Sequence, residues 1–340
     1  MLRISRLIRL ILIVLPLQIF AQTEAGDPLI RPRMRVIMDN DFSGDPDGLF
    51  ALAHLLLSPS VDVRAIIGSQ FTTVDTILRS STMAEDAAAK VSDLMQRMHI
   101  RTVIPVLPGS DKSMPDEKTP VHNKAVDFII QEALRKDTKL PLYVLCGAGL
   151  TDIASALLIN PNIADKIILI WIGGPEYSDL APPANNQTEY NLNIDRAAAR
   201  VVFNHSSVPL WQVPRNAYRQ CLFSWSQLQV KVASQSSVGE YLVQQLQVVM
   251  RLLDRHNFNL GETYVLGDSP LVLLTALQSS FDPAPSSSNY VTRSAPLINA
   301  KGFYTPNPDG RKIRIYTQLD VNLLFNDFVA KLQLMPPSPR

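Results

Sequence analysis

Short apolar runs alternate with longer stretches of helical spacing along most of this chain. Residues 36–38, 61–67, 102–107, 141–146, 167–172 and 208–213 are rich in Val, Ile and Leu on both alternating faces, which predicts strands covered on both sides. Between them, residues 49–57, 83–97, 123–134, 151–158 and 195–203 carry helix-like patterns. That alternation predicts an α/β domain: a mostly parallel central sheet flanked by helices, with right-handed connections. After residue 220 the pattern turns helical, at 224–234, 239–256 and 269–279. A late strand at 312–319 and a helix at 321–334 then close the same core.

In sheets of this kind, ligands bind beyond the carboxyl ends of the strands. The loops that follow the predicted strands hold the polar and glycine residues such a site needs. Four carboxylates crowd the first of them, in Asp39-Asn40-Asp41-Phe42-Ser43-Gly44-Asp45-Pro46-Asp47-Gly48. Four like charges in one turn call for a cation, open water or a shared proton. A hard, oxygen-seeking cation such as Ca²⁺ is the most economical partner; the plain alternative is a solvated turn with Asp45 capping a helix. Ser69 and Gln70 follow the second strand, Gly147 to Thr151 the fourth, and Gly173-Gly174, Glu189 and Asn191 the fifth. Gly267-Asp268-Ser269-Pro270 follows the long helix.

Composition changes this picture little. The 340 residues carry a formal net charge of +1, which favours neither nucleic acid nor a charged membrane as partner. Arg3, Arg6 and Arg9 lead into an apolar run ending near Phe20, followed by Ala21-Gln22. This predicts a signal peptide over 1–21, a linker over 22–33, one domain over 34–334 and a Pro-rich tail over 335–340. Export to the periplasm or exterior is the corresponding expectation, with no membrane contact after cleavage. Cys146 and Cys221 are the only cysteines, and sequence gives no reason to pair them. Trp171 suits the core, His54 in the first helix pattern reads as a partly buried or surface residue, and Trp211 and Tyr218 lie near a strand end where the same bland reading leads.

Taken together, the strand-end segments resemble the inosine-uridine-preferring nucleoside hydrolase family. The resemblance rests on Val36-Ile37-Met38-Asp39-Asn40-Asp41 with Gly44 and Asp47, on Gly147-Ala148-Gly149-Leu150-Thr151-Asp152, on Ile172-Gly173-Gly174, on Thr188-Glu189-Tyr190-Asn191-Leu192-Asn193-Ile194-Asp195, and on Asp268-Ser269-Pro270. It implies a Rossmann-type topology and Ca²⁺-dependent cleavage of the N-glycosidic bond of ribonucleosides, with small-molecule substrates and, by default, a homo-oligomer. By the same resemblance Asp41 is the catalytic base and a metal ligand. Asp268, the Gly147 carbonyl and one of Asp45 and Asp47 complete the metal set. Asp39, Ser69, Glu189 and Asn191 contact the ribose. The chain departs from the family at four places: Gly48 where a second adjacent Asp is usual, an extra Ser43 in the same loop, Gly267 where a His often precedes the late Asp, and Ser69 where Asn is common. An alternative on the same scaffold is a non-catalytic Ca²⁺-dependent binder of ribosides.

Overall fold

The computed structural model describes residues 29–71, 80–182, 188–279 and 287–335. The leader-like segment over 1–21 and most of the Pro-rich tail lie outside them.

Eight strands form the central sheet: β1 (Met34–Asn40), β2 (Val61–Gly68), β3 (Val106–Pro108), β4 (Leu142–Cys146), β5 (Ile167–Ile172), β6 (Leu210–Val213), β9 (Asn289–Ser294) and β10 (Lys312–Gln318). A separate antiparallel pair, β7 (Leu222–Ser224) and β8 (Thr263–Val265), lies outside the sheet. The spatial order is β3-β2-β1-β4-β5-β6-β10-β9. Every neighbouring pair is parallel except β9 with β10. Strand order reverses at β1, which sits between β2 and β4, so the loop after β1 opens at a topological switch point.

The sheet separates two apolar layers. On β1, Val36 and Met38 pack into one layer, with α1 (Asp47–Leu56), α2 (Met83–Arg97), α7 (Ser237–Arg255) and α9 (Val321–Gln333). Ile37 points to the other, with α3 (Lys124–Ala133), α4 (Thr151–Ile159) and α6 (Arg196–Arg200). Every residue of β1 is buried, which explains the unbroken apolar run Val36-Ile37-Met38 before Asp39; Arg35 is buried as well, paired with Glu132 at 2.6 Å. From Arg31 onward the chain forms one compact unit.

Four sequence expectations need correction. The strand over 102–107 shortens to Val106–Pro108, because Pro105 has no N–H for the ladder and Val103 is 94% exposed. The helix over 195–203 starts after its cap, Asp195, whose Oδ1 accepts the Ala198 N–H at 2.9 Å, and widens into a π-helical turn at Val201–His205. The helix over 269–279 is only α8 (Pro270–Leu273). Strand β9 was not foreseen: it is an antiparallel edge strand with exposed, polar positions and no apolar run to mark it.

Candidate active site

A cavity of about 320 Å³ opens beyond the carboxyl ends of β1, β4 and β5. Asp41, Asp45, Asp47, Gly147, Glu189, Asn191 and Asp268 all line it. A larger depression of about 660 Å³ follows β5, but its Glu176 and Arg215 are bound to each other at 2.5 Å and it has no carboxylate cluster.

The first wall is acidic. Asp41 leaves the end of β1, and its N–H donates to the side chain of Asn40 at 2.9 Å. The turn closes through Gly44 N–H to the Asp41 carbonyl at 2.7 Å. Burial first, then the charges of Asp268 and Asp45, hold the Asp41 carboxyl well above its ordinary value of 3.8. Asp47 opens α1; its Oδ2 accepts the Asp268 N–H at 3.1 Å, and burial with the charges of Asp268, Asp45 and Asp41 raises it as well. Asp268 is raised to about 7, chiefly by burial. Asp45 serves the start of α1 from one residue before the N-cap position, which is Pro46: its Oδ1 accepts the N–H of Asp47, the first helical residue, at 3.1 Å and the Tyr264 hydroxyl at 2.9 Å.

The second wall is a closed network around Glu189, which is fully buried. Its Oε1 accepts from Asn191 N–H (3.1 Å) and the Tyr218 hydroxyl (2.8 Å); its Oε2 accepts from Gly174 N–H (2.8 Å) and Leu192 N–H (2.9 Å). Glu189 thereby caps α5 (Tyr190–Ile194). Gly174 reaches it from a left-handed turn, φ +88°, that favours glycine. Asn191 donates both amide protons to backbone carbonyls, of Gly147 and Ile172, each at 2.8 Å. Only its side-chain oxygen is left for a ligand. Four bonds fill the lone pairs of Glu189, so this carboxylate fastens the wall.

Asp39 and Ser69 are not among the residues lining the cavity. Both are buried; neither Asp39 oxygen nor the Ser69 hydroxyl completes a hydrogen bond among the described residues. Burial and the nearby Asp152 carboxylate raise Asp39 well above its ordinary value. Sequence reading passed over Asn40 and Tyr264, and it undervalued Tyr218. Tyr264 sits on β8 three residues before Gly267-Asp268, a strand-end position that offered a signal. Cys146 and Cys221 are free and buried, while Trp171 is a core residue whose indole N–H donates to the Ala148 carbonyl at 2.9 Å.

Beyond this geometry, a family model described as inosine-uridine preferring nucleoside hydrolase matches residues 36–321. The chain belongs to the inosine-uridine preferring nucleoside hydrolase family. It is similar to the inosine-uridine preferring nucleoside hydrolase of Crithidia fasciculata, 29% identical over 201 residues, or 53% of this chain and 58% of that protein. It is also similar to the Leishmania major protein of the same description, 34% identical over 100 residues, or 29% of this chain and 31% of that protein. The match thus spans little more than half the length of the first relative and under a third of the second. Among solved structures, a plant nucleoside hydrolase superposes with a TM-score of 0.65 at 19% identity, covering 89% of this chain and 100% of that one. At that identity the likeness is one of fold.

The family is associated with a divalent cation, and the donor chemistry of the acidic wall suits one. Asp41, Asp47 and Asp268 are mutually repelling oxygen donors beside the Gly147 carbonyl, and a hard cation takes such oxygens. Among the described residues the carboxylates do not converge into a ready-made cage; one oxygen of Asp268 is instead engaged by Asn40.

Proposed function

We propose that this chain hydrolyses the N-glycosidic bond of ribonucleosides, or of a related N-riboside, to free base and ribose in a Ca²⁺-dependent reaction. The observation that carries the reading is Asp41: a buried carboxylate at the switch point, lining the cavity with Asp47 and Asp268, whose oxygens accept no bond from another side chain among the described residues. Asp41, Asp47 and Asp268, with the Gly147 carbonyl, would hold the cation. Asp45 supports Asp47 and is itself held by Tyr264. When bound, calcium supplies a positive centre that orients ribose hydroxyls and eases deprotonation of water.

The residues of the chain divide the remaining work. Asp41 takes a proton from the attacking water at C1′, a role its place in the cavity wall beside Asp47 and Asp268 allows. The surrounding carboxylates favour positive charge developing on the ribose in an oxocarbenium-like transition state. Asn191 offers its side-chain oxygen to a ribose hydroxyl, and Glu189 keeps Asn191 and Tyr218 in register. The leader-like segment supports export, with external nucleosides as substrates. Reaction in H₂¹⁸O tests the proposal: base is released, and mass spectrometry finds the label in ribose and none in the base. Release with the label in the base, or no release, rejects it.

Gly267 favours a second reading. It has no side chain with which to protonate a leaving base, in keeping with a riboside binder without turnover. Saturable heat on nucleoside titration without base release selects the binder.

A further inference from the structure

Asn40 is completely buried between the acidic wall and two glycines. Its Oδ1 accepts the Asp41 N–H at 2.9 Å, and its Nδ2 donates to Oδ2 of Asp268 at 2.7 Å, joining the two ends of the chain's carboxylate cluster. A Cβ placed on Gly48 would stand 2.6 Å from that nitrogen and 3.3 Å from Asp268 Oδ2; a Cβ on Gly147 would stand 2.4 Å from the same nitrogen. Contacts that short do not survive, so neither position accepts a side chain while the amide is there. Two glycines on separate elements, the first turn of α1 and the loop after β4, seat one amide. A side chain at position 48 would point at Asp268, and the Asn40 amide fills that room with an N–H donor instead.

We infer that Asn40 is a built-in competitor for Asp268 that sets the cation affinity of the cavity. This rests on the reading of Asp41, Asp47 and Asp268 as cation ligands. The amide proton partly compensates the buried carboxylate when no cation is present. A cation must displace that proton or make do with the other oxygen of Asp268, so this chain binds divalent ions more weakly than one with an oxygen at the same point.

Asn40→Asp separates the effects, since it keeps the acceptor for the Asp41 N–H and turns the donor into an oxygen. The purified full chain is titrated with Tb³⁺, whose luminescence Tyr218 and Tyr264 in the cavity wall can sensitise, and Ca²⁺ is used to compete it off. The expected result is Tb³⁺ affinity raised by about ten-fold or more in Asn40→Asp, because ligand charge count tunes such sites. Equal or weaker binding overturns the inference. A second pair adds no charge. Gly48→Ala should lower the melting temperature in the presence of Asn40, and the Asn40→Ala/Gly48→Ala double variant should melt no lower than Asn40→Ala alone. Alanine is the better helix former at an α1 position, so a harmless Gly48→Ala with Asn40 intact also overturns the inference. Neither readout uses a nucleoside. Failure to cleave nucleosides would leave this inference standing, and unchanged Tb³⁺ affinity would leave the proposed hydrolysis standing.

Discussion

The two walls of the cavity differ in how their polar groups are engaged. Around Glu189 every lone pair accepts a proton, and both amide protons of Asn191 are bound to carbonyls. On the facing wall Asp47 and Asp268 each have one oxygen engaged, and among the described residues no side chain engages Asp41. A satisfied buried network fixes geometry, whereas buried carboxylates left short of partners raise one another's proton affinity. The Glu189 wall therefore acts as a template, and the acidic wall keeps carboxylate oxygens free for a positively charged partner.

The largest expected effect breaks the comparison at its acidic side. Asp41→Asn should lower kcat by roughly 10²–10⁴, the range for loss of a general base, with the fold intact by circular dichroism. Unchanged turnover would move the base elsewhere. Glu189→Gln should act in the opposite way. One acceptor oxygen becomes an NH₂ facing two donors, at a cost of about 1–3 kcal/mol per unsatisfied group. Denaturant melts should register this loss, with a raised KM reflecting a loosened Asn191. A variant as stable as the parent would show that the network is not the template.

A smaller effect concerns pH, measured in chelator. The Asp268 carboxyl is raised from 3.8 to about 7 in the folded chain. Its contribution to stability is fully present below 3.8 and is lost as pH rises through about 7. Thermal melts should therefore show stability falling across that window, and Asp268→Asn should flatten this part of the profile. His54, which burial pushes below its ordinary value of 6.5, keeps its contribution above 6.5 and loses it as pH falls from there through the lowered folded value, and so opposes the trend. The difference between parent and Asp268→Asn isolates the acidic wall, and identical profiles would mean that wall carries no strain. The smallest effect is Tyr218→Phe, which removes one of four donors to Glu189 and should cost about 0.5–1.5 kcal/mol in a denaturant melt.

Much of this was legible in the sequence because burial on both faces leaves a strong signature. The cores of β1, β4 and β5 are apolar runs that lead into carboxylate or glycine, which placed Asp41, Gly147 and Asn191 at one edge, while Asp268 was placed by the Gly267-Asp268-Ser269-Pro270 turn after the long helix. Strand β9 left no such trace, since an edge strand with polar positions reads as a loop. The roles of Asn40 and Glu189 were hidden for a different reason. Asn40 looks like the spacer of an Asp-x-Asp segment, and only its neighbours Gly48, Gly147 and Asp268 define it. The sequence shows Glu189 only as a ribose-contact candidate, while its four donors, drawn from three segments, come together only in the fold. Asp39 and Ser69 belong to the same strand ends as the site, yet they lie outside the residues lining the cavity. Adjacency in sequence to a functional turn does not decide which way a side chain faces.

The claim that the acidic wall cleaves ribosides is tested most directly by incubating the full chain with a panel of purine and pyrimidine ribonucleosides and separating products by chromatography, with calcium and with chelator. The account predicts free base and ribose in equal amounts from at least one nucleoside in calcium, and their loss in chelator. No base from any nucleoside in the presence of calcium would contradict it.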